Sequence, residues 1–266
     1  MTPTNPSRND RIVNAAQIYQ QNLCDQTVLF VYGKPSSPQT VEVEFKAGNF
    51  CHLVGVEPRR DGLMRMKASE LYSRAIEGAL HSGNYGFSRG QDYCDLKLEV
   101  IGRIVRIDTN ARMIGDFEDG RFVNLSTDKV VGRQNAVLGL VETGDVFVPN
   151  SVINADIREI ARSASQVLAT FKDPTLNSVK CSTVRYVAES LEPSHFKELC
   201  KVLQQRGELG EALNYGSQAL ESRLSTAKTE NLLKPVSASP GNDARIIRAV
   251  PKPRRGPTVP PPNTIR

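Results

Sequence analysis

The stretch from Asn135 to Pro149, NAVLGLVETGDVFVP, constrains the fold more than any other. Two apolar runs flank Glu142-Thr143-Gly144-Asp145, a composition that turns a chain back on itself. The pattern predicts a hairpin. Pro149 has no N–H to give to a ladder and is expected to end it. Upstream, TVEVEFK (40–46) alternates strictly, with Val41, Val43 and Phe45 on one side and Glu42 and Glu44 on the other. TVLFVYG (27–33) is a continuous apolar run, and GKPSSPQ joins the two. Downstream, QVLATFK (166–172) and SVKCSTVRYVA (178–188) read as two more strands joined by DPTLN.

Helices surround these strands. Ile12, Ala15, Ala16 and Tyr19 fall at helical spacing behind an Asn9/Asp10 cap and predict a helix over 10–23. Leu71, Ala75, Ile76 and Leu80 predict another from about Met66 to His81, stopped at Gly83. Segment 91–113 carries Leu96, Val100, Ile104 and Ile107 at helical spacing; its length favours a helix, although its β-branched content also suits a strand. Asn154 is expected to cap a short helix bearing Ile157, Ile160 and Ala161. Phe196, Leu199, Cys200 and Leu203 stripe a helix over 194–206, and 208–233 is weakly helical. Helices first and antiparallel strands after argue for an α+β fold, with helices packed on an antiparallel sheet.

Residues 234–266 hold eight of the sixteen prolines and little apolar periodicity, which predicts a disordered basic, proline-rich tail. The tail also locates the charge. The net +5 of the 266 residues becomes a formal −1 over 1–233, where 27 basic face 28 acidic side chains. A basic patch on the body must therefore come from local arrangement. Three segments are expected: a domain over 1–190, a helical extension over 191–233 and the tail. No apolar run approaches the ~20 residues of a membrane helix, and MTPTNPSRND has no secretory apolar core, so a cytoplasmic protein without membrane association is expected. The five cysteines are odd in number and form no C-x-x-C pair; neither a disulfide framework nor a zinc site is expected.

Motifs for phosphate cradles, dinucleotide sites, zinc hydrolases and nucleophile elbows are missing. With three dispersed histidines, no metal site and no cofactor are expected. Two places carry chemistry instead. His52 sits in the apolar run FCHLVGVE, as a hydrogen-bonded core residue or as a proton-transfer group in a dry pocket. Between two apolar strands, Ser126, Thr127, Asp128, Lys129, Arg133 and Asn135 crowd into ten residues, as a polar turn or as a site at a sheet edge.

FxHLxG (Phe50, His52, Leu53, Gly55), the pair Leu71-Tyr72, TDKxxG (Thr127, Asp128, Lys129, Gly132), NAxLGL (Asn135 to Leu140) and VPN (Val148 to Asn150) occur in that order. Over roughly 10–190 the chain thereby resembles the fourth subfamily of the phage-associated barnase–EndoU–colicin–RelE-like nuclease domains. Where that pattern has Asn after the glycine of TDKxxG, this chain has Arg133, a departure that bears on substrate contacts. The resemblance implies a small helical part on an antiparallel sheet and metal-independent cleavage of RNA through attack by its own 2′-hydroxyl.

On that reading His52, Thr127 and Lys129 are the catalytic candidates, His52 moving protons and Lys129 holding phosphate charge. Tyr72, Asp128, Arg133 and Asn135 are the substrate-binding candidates. The implied partner is RNA, and a toxin role would add an antitoxin or immunity protein. The alternative is a non-catalytic module binding protein or nucleic acid, or a structural mobile-element protein with a vestigial pocket. The nuclease reading needs His52 and Lys129 in one cleft.

Overall fold

The computed structural model describes residues 6–61, 64–118, 125–173 and 181–225. In chain order, α1 (Arg8–Asn22) precedes β1 (Gln26–Lys34) and β2 (Ser37–Phe45). A 3₁₀ turn (Ala47–Asn49) leads into α2 (Phe50–Val54), β3 (Val56–Pro58), β4 (Arg60–Asp61), β5 (Met64–Arg65), α3 (Ala68–Ile76) and β6 (Tyr85–Phe87). Next come α4 (Gln91–Ile104), α5 (Ile107–Asn110), β7 (Met113–Phe117), β8 (Lys129–Arg133), β9 (Ala136–Thr143) and β10 (Val146–Ile153). The described chain ends with α6 (Ile157–Ile160), β11 (Ala161–Asp173), β12 (Cys181–Val187), α7 (Pro193–Gln205), β13 (Leu209–Tyr215) and α8 (Gln218–Ser225).

The α+β class holds, but the sheet is not an open antiparallel one. Seven strands close on themselves in the order β1-β2-β10-β9-β8-β7-β11, with β11 returning to β1. Directions that alternate around a ring return to register only when the strand number is even. Seven strands therefore require at least one parallel junction, and it falls between β2 and β10. That junction has a single register pair, Phe147 with Val43, whereas β1 and β2 share nine. Beyond Phe147 the helices take over: α2 lies against β10, and Asn49 Nδ2 donates to the Pro149 carbonyl at 3.5 Å. Outside the ring, β12 and β13 extend the sheet from β11.

Alternation explains which residues are buried. Val28 and Phe30 of β1 join a large apolar cluster to which every barrel strand and each of α1–α5 contributes. Leu29 and Val31 point the other way, into a second cluster with Phe171, Phe196 and Leu199 beneath α7. Both faces of β1 are covered, which is why its sequence is a continuous apolar run. A third, smaller cluster places Ile157 and Ile160 of α6 on Val130 and Val137.

Several boundaries differ from the expectations. The first helix is capped by Ser7, whose hydroxyl accepts from Asp10 N while the Asp10 carboxylate accepts from Ser7 N. The third ends at Ile76 because Gly78 turns left-handed (φ 73°), so His81 lies outside it. Segment 91–113 divides into α4, α5 and the first residue of β7. Pro149 does not end β10. The register with β9 shifts between Pro149 and Ser151, so a bulge at Asn150 absorbs the missing donor and the strand continues to Ile153. Asp156, not Asn154, caps α6, accepting from Arg158 N. Residues 209–215 are a strand, because parallel pairing with β12 overrides weak local helix preference. The expected disordered tail lies outside the described residues.

Candidate active site

Alpha-2 is only five residues long and is held by its apolar members. Phe50, Cys51, Leu53 and Val54 are buried, and the Phe50 ring lies 5.5 Å from that of Tyr19 and 5.2 Å from that of Tyr72. His52 is the residue left facing solvent. Gly55 closes the helix in the left-handed region (φ 77°), and α4 runs close behind it. A Cβ at Gly55 would stand 3.1 Å from Lys97 Cδ and 3.4 Å from Cys94 Cα. The glycine of FxHLxG thus serves two purposes: it turns the chain and lets two helices approach.

That approach brings a stripe of α4 and its lead-in residue to His52. Tyr93 and Lys97, four residues apart, share one face of α4, and Arg89 stands just ahead of the helix. The Arg89 guanidinium carbon lies 5.5 Å from the Tyr93 ring centroid and Lys97 Nζ lies 4.8 Å from it. Lys97 Nζ also donates to the His52 carbonyl at 2.5 Å. Only 5% exposed, Lys97 has its pKa pushed down to about 8, first by burial and then by the Arg89 cation. The His52 imidazole is likewise held below its ordinary value, by the surrounding protein and then by Lys97.

These side chains line a hollow of about 290 Å³. Its opposite wall is Asn150 and Ser151 of the β10 bulge, with Leu125 and Ser126 beside them. The Tyr93 and Ser151 hydroxyls stand 3.4 Å apart, and Asn150 Nδ2 donates to the Ser126 carbonyl. Among the described lining residues there is an imidazole, two cations and neutral hydrogen-bonding groups, but no carboxylate. Two further hollows adjoin it. One of about 400 Å³ shares His52 and Ser88; one of about 260 Å³ shares Arg89, Tyr93, Lys97 and Leu125. Among the described residues no three His, Cys, Asp or Glu side chains stand together as metal ligands, and no helix is long and apolar enough to cross a membrane.

The structure distributes the sequence candidates unevenly. His52 alone of the seven lines the hollow. Lys129 does not: it lies on β8 with Nζ 2.5 Å from Asp116 Oδ1 on β7. Burial presses its pKa down, but the hydrogen bond to Asp116 and the surrounding Tyr32, Asp116 and Glu142 together outweigh this and the net shift is upward. The single cleft expected for His52 and Lys129 is not formed, because strand pairing carries Lys129 to its β7 neighbour. Thr127 adjoins the hollow through Ser126. Its Oγ1 is buried with no hydrogen-bond partner among the described residues, packed where a Cβ at Gly139 would come within 3.1 Å.

The substrate-binding candidates lie in structural positions away from the hollow. The Asp128 carboxylate accepts from Glu142 N at 2.8 Å, and its own N–H donates to the Leu140 carbonyl at 2.9 Å, fixing 125–128 beside β9. Arg133 and Asn135 belong to the tight β8–β9 turn, Asn135 with φ 58°. Tyr72 is 2% exposed and donates to Gln20 Oε1 at 2.8 Å, in the aromatic core under α2; burial raises its pKa.

Arg89, Tyr93 and Lys97 fall outside the motifs of the sequence, and Asn150 enters them only as the end of VPN. The readable signal was R-x-x-x-Y-x-x-x-K, with a lysine among the buried positions Cys94, Leu98 and Ile101.

No curated protein and no solved structure is significantly similar to the chain. The family model described as phage-Barnase-EndoU-ColicinE5/D-RelE like nuclease4 (PBECR4) matches residues 11–176, more than half of the 266 residues and every segment that lines the hollow, and the chain belongs to that nuclease family.

Proposed function

We propose that the chain is a ribonuclease that breaks RNA at a phosphate seated in the His52–Lys97 hollow, without a bound metal. A nuclease family implies a nucleic-acid substrate. The observation that carries the finer reading is the lining: His52, Arg89 and Lys97 converge on one solvent-reached hollow without a carboxylate among its described residues. A divalent cation calls for oxygen ligands, usually carboxylates, whereas this set suits an anion. RNA brings its own nucleophile, so the protein need supply only proton transfer and charge stabilisation.

His52, neutral near pH 7 because its pKa is lowered, takes the 2′-hydroxyl proton. The 2′-oxygen bonds to phosphorus as the phosphorus–O5′ bond breaks, leaving a 2′,3′-cyclic phosphate. Lys97, protonated below about pH 8, gives a proton to the departing O5′, and Arg89 holds the charge on the non-bridging oxygens. Asn150 and Tyr93 orient the phosphate and ribose. Unrestrained cutting of this kind damages the cell that makes it, and a protein inhibitor covering the hollow would contain it.

Purified chain in EDTA should cut RNA to products ending in cyclic phosphate. His52→Ala and Lys97→Met should each lower kcat/KM by about 10²–10⁴-fold; Lys129→Ala, outside the hollow, should change it by less than about tenfold. Intact RNA with the wild-type protein, or full activity in His52→Ala, overturns the proposal. RNA bound but uncut would instead favour a binding module.

A further inference from the structure

We infer that the 260 Å³ hollow beyond Tyr93 receives an unpaired nucleobase next to the phosphate held at His52, so that the substrate is single-stranded RNA. This rests on the reading that His52 and Lys97 address an RNA phosphate. The two hollows adjoin, sharing Arg89, Tyr93, Lys97 and Leu125, yet the rest of their linings differ. The phosphate side is cationic and hydrogen-bonding. The far side is formed by Leu96, Leu125, Val152 and Ile153, with Asn154 at its polar end.

Leu96 is the telling residue. At 51% exposure it is one of two large apolar side chains left open to solvent among the described residues, and it sits on α4, whose other apolar members Leu98, Val100, Ile101 and Ile104 are buried. A nucleotide has the matching division, an anionic phosphate joined to a base with two apolar faces. A base stacked and paired in a duplex offers only its edges to a protein; to cover Leu96 it must leave the stack. The Asn154 amide nitrogen is engaged by Glu99 Oε2 at 3.1 Å, which leaves the amide oxygen to accept from a base edge.

The test uses the full chain and a deoxyoligonucleotide with one internal ribonucleotide, so that a single bond can be cut. An abasic residue is placed on one side of that bond or the other. Wild-type kcat/KM should fall about tenfold, mainly through KM, for an abasic residue on one side only. Leu96→Ala should show a comparable loss on the intact oligonucleotide and little further loss on the abasic one, and annealing a complement should stop cleavage. Fluorescence anisotropy with the uncleavable all-deoxy strand should give the same ordering in Kd. If base removal and Leu96→Ala leave both KM and Kd unchanged, or if duplex is cut as fast as single strand, the base pocket is overturned, while loss of cutting in His52→Ala still upholds the nuclease reading. If wild-type protein cuts nothing but binding retains its dependence on the base and on Leu96, the pocket stands and the cleavage mechanism falls.

Discussion

Lys97 is the residue whose placement is hardest to explain by stability alone. Taken out of water without a carboxylate among the described lining residues, it costs the fold free energy, and the cost depends on pH. The unfolded chain binds the proton up to the ordinary 10.5, the folded chain only up to about 8. Below pH 8 both states are protonated and the fold bears the whole penalty, about 3 kcal/mol. Between those two values only the unfolded chain holds the proton, so stability rises with pH through that window. Lys97→Met should therefore stabilise the protein below pH 8 by about 1–3 kcal/mol, seen as a higher Tm, while removing activity. The wild-type pH profile of kcat/KM should be bell-shaped. Its acid limb should lie below the ordinary histidine value of 6.5, and its alkaline limb near 8. Lys97→Arg, which keeps its proton, should carry the alkaline limb upward. A profile unchanged in that variant would remove Lys97 from the chemistry. None of this follows from the sequence, where a lysine on an apolar helix face looks like an interruption; its pKa is set by burial in the folded chain and by the Arg89 cation.

At the level of elements, the motifs are chiefly assembly instructions. Gly55 lets α4 reach α2, and Gly139 lets Thr127 settle onto β9. Asp128 ties its segment to β9, and Pro149-Asn150 bends β10 so that Asn150 meets Ser126. Gly55→Ala introduces a Cβ into a left-handed residue and against Lys97. It should cost about 1–3 kcal/mol in a denaturant titration, and kcat/KM should drop further than the unfolded fraction explains. Activity that simply tracks the folded fraction would show that the α2–α4 spacing does not matter to the chemistry. The elements themselves were largely readable, because the 3.6-residue period survives in α1 and α7, the two-residue period in β2, and the turn composition in the β9–β10 hairpin. His52 was readable as a polar residue in an apolar run. Its meeting with Arg89, Tyr93, Lys97 and Asn150 was not, since α4 and the bulge are brought near it by packing rather than by spacing. Segment 209–215 was misread for a related reason: its strand exists only because β12 is beside it.

Across the whole molecule, the core and the hollow are separable. The cluster beneath α7, where the Phe171 and Phe196 rings stack at 6.1 Å, contributes no residue to the hollow. Phe196→Ala should destabilise by about 3–5 kcal/mol, yet at low temperature the remaining folded protein should keep wild-type kcat/KM. A selective loss of turnover would reveal coupling between the two. Closure of the sheet was invisible in the sequence, because the β1–β11 pairing joins segments far apart and has no local signature. A ring of odd strand number has a consequence for how such a protein can change. Hairpin insertions add strands two at a time and leave the count odd, so the mismatched joint beside the α2 imidazole persists through them. Only the gain or loss of a lone strand would allow antiparallel pairing all the way round, and the short joint against which α2 packs would go with it.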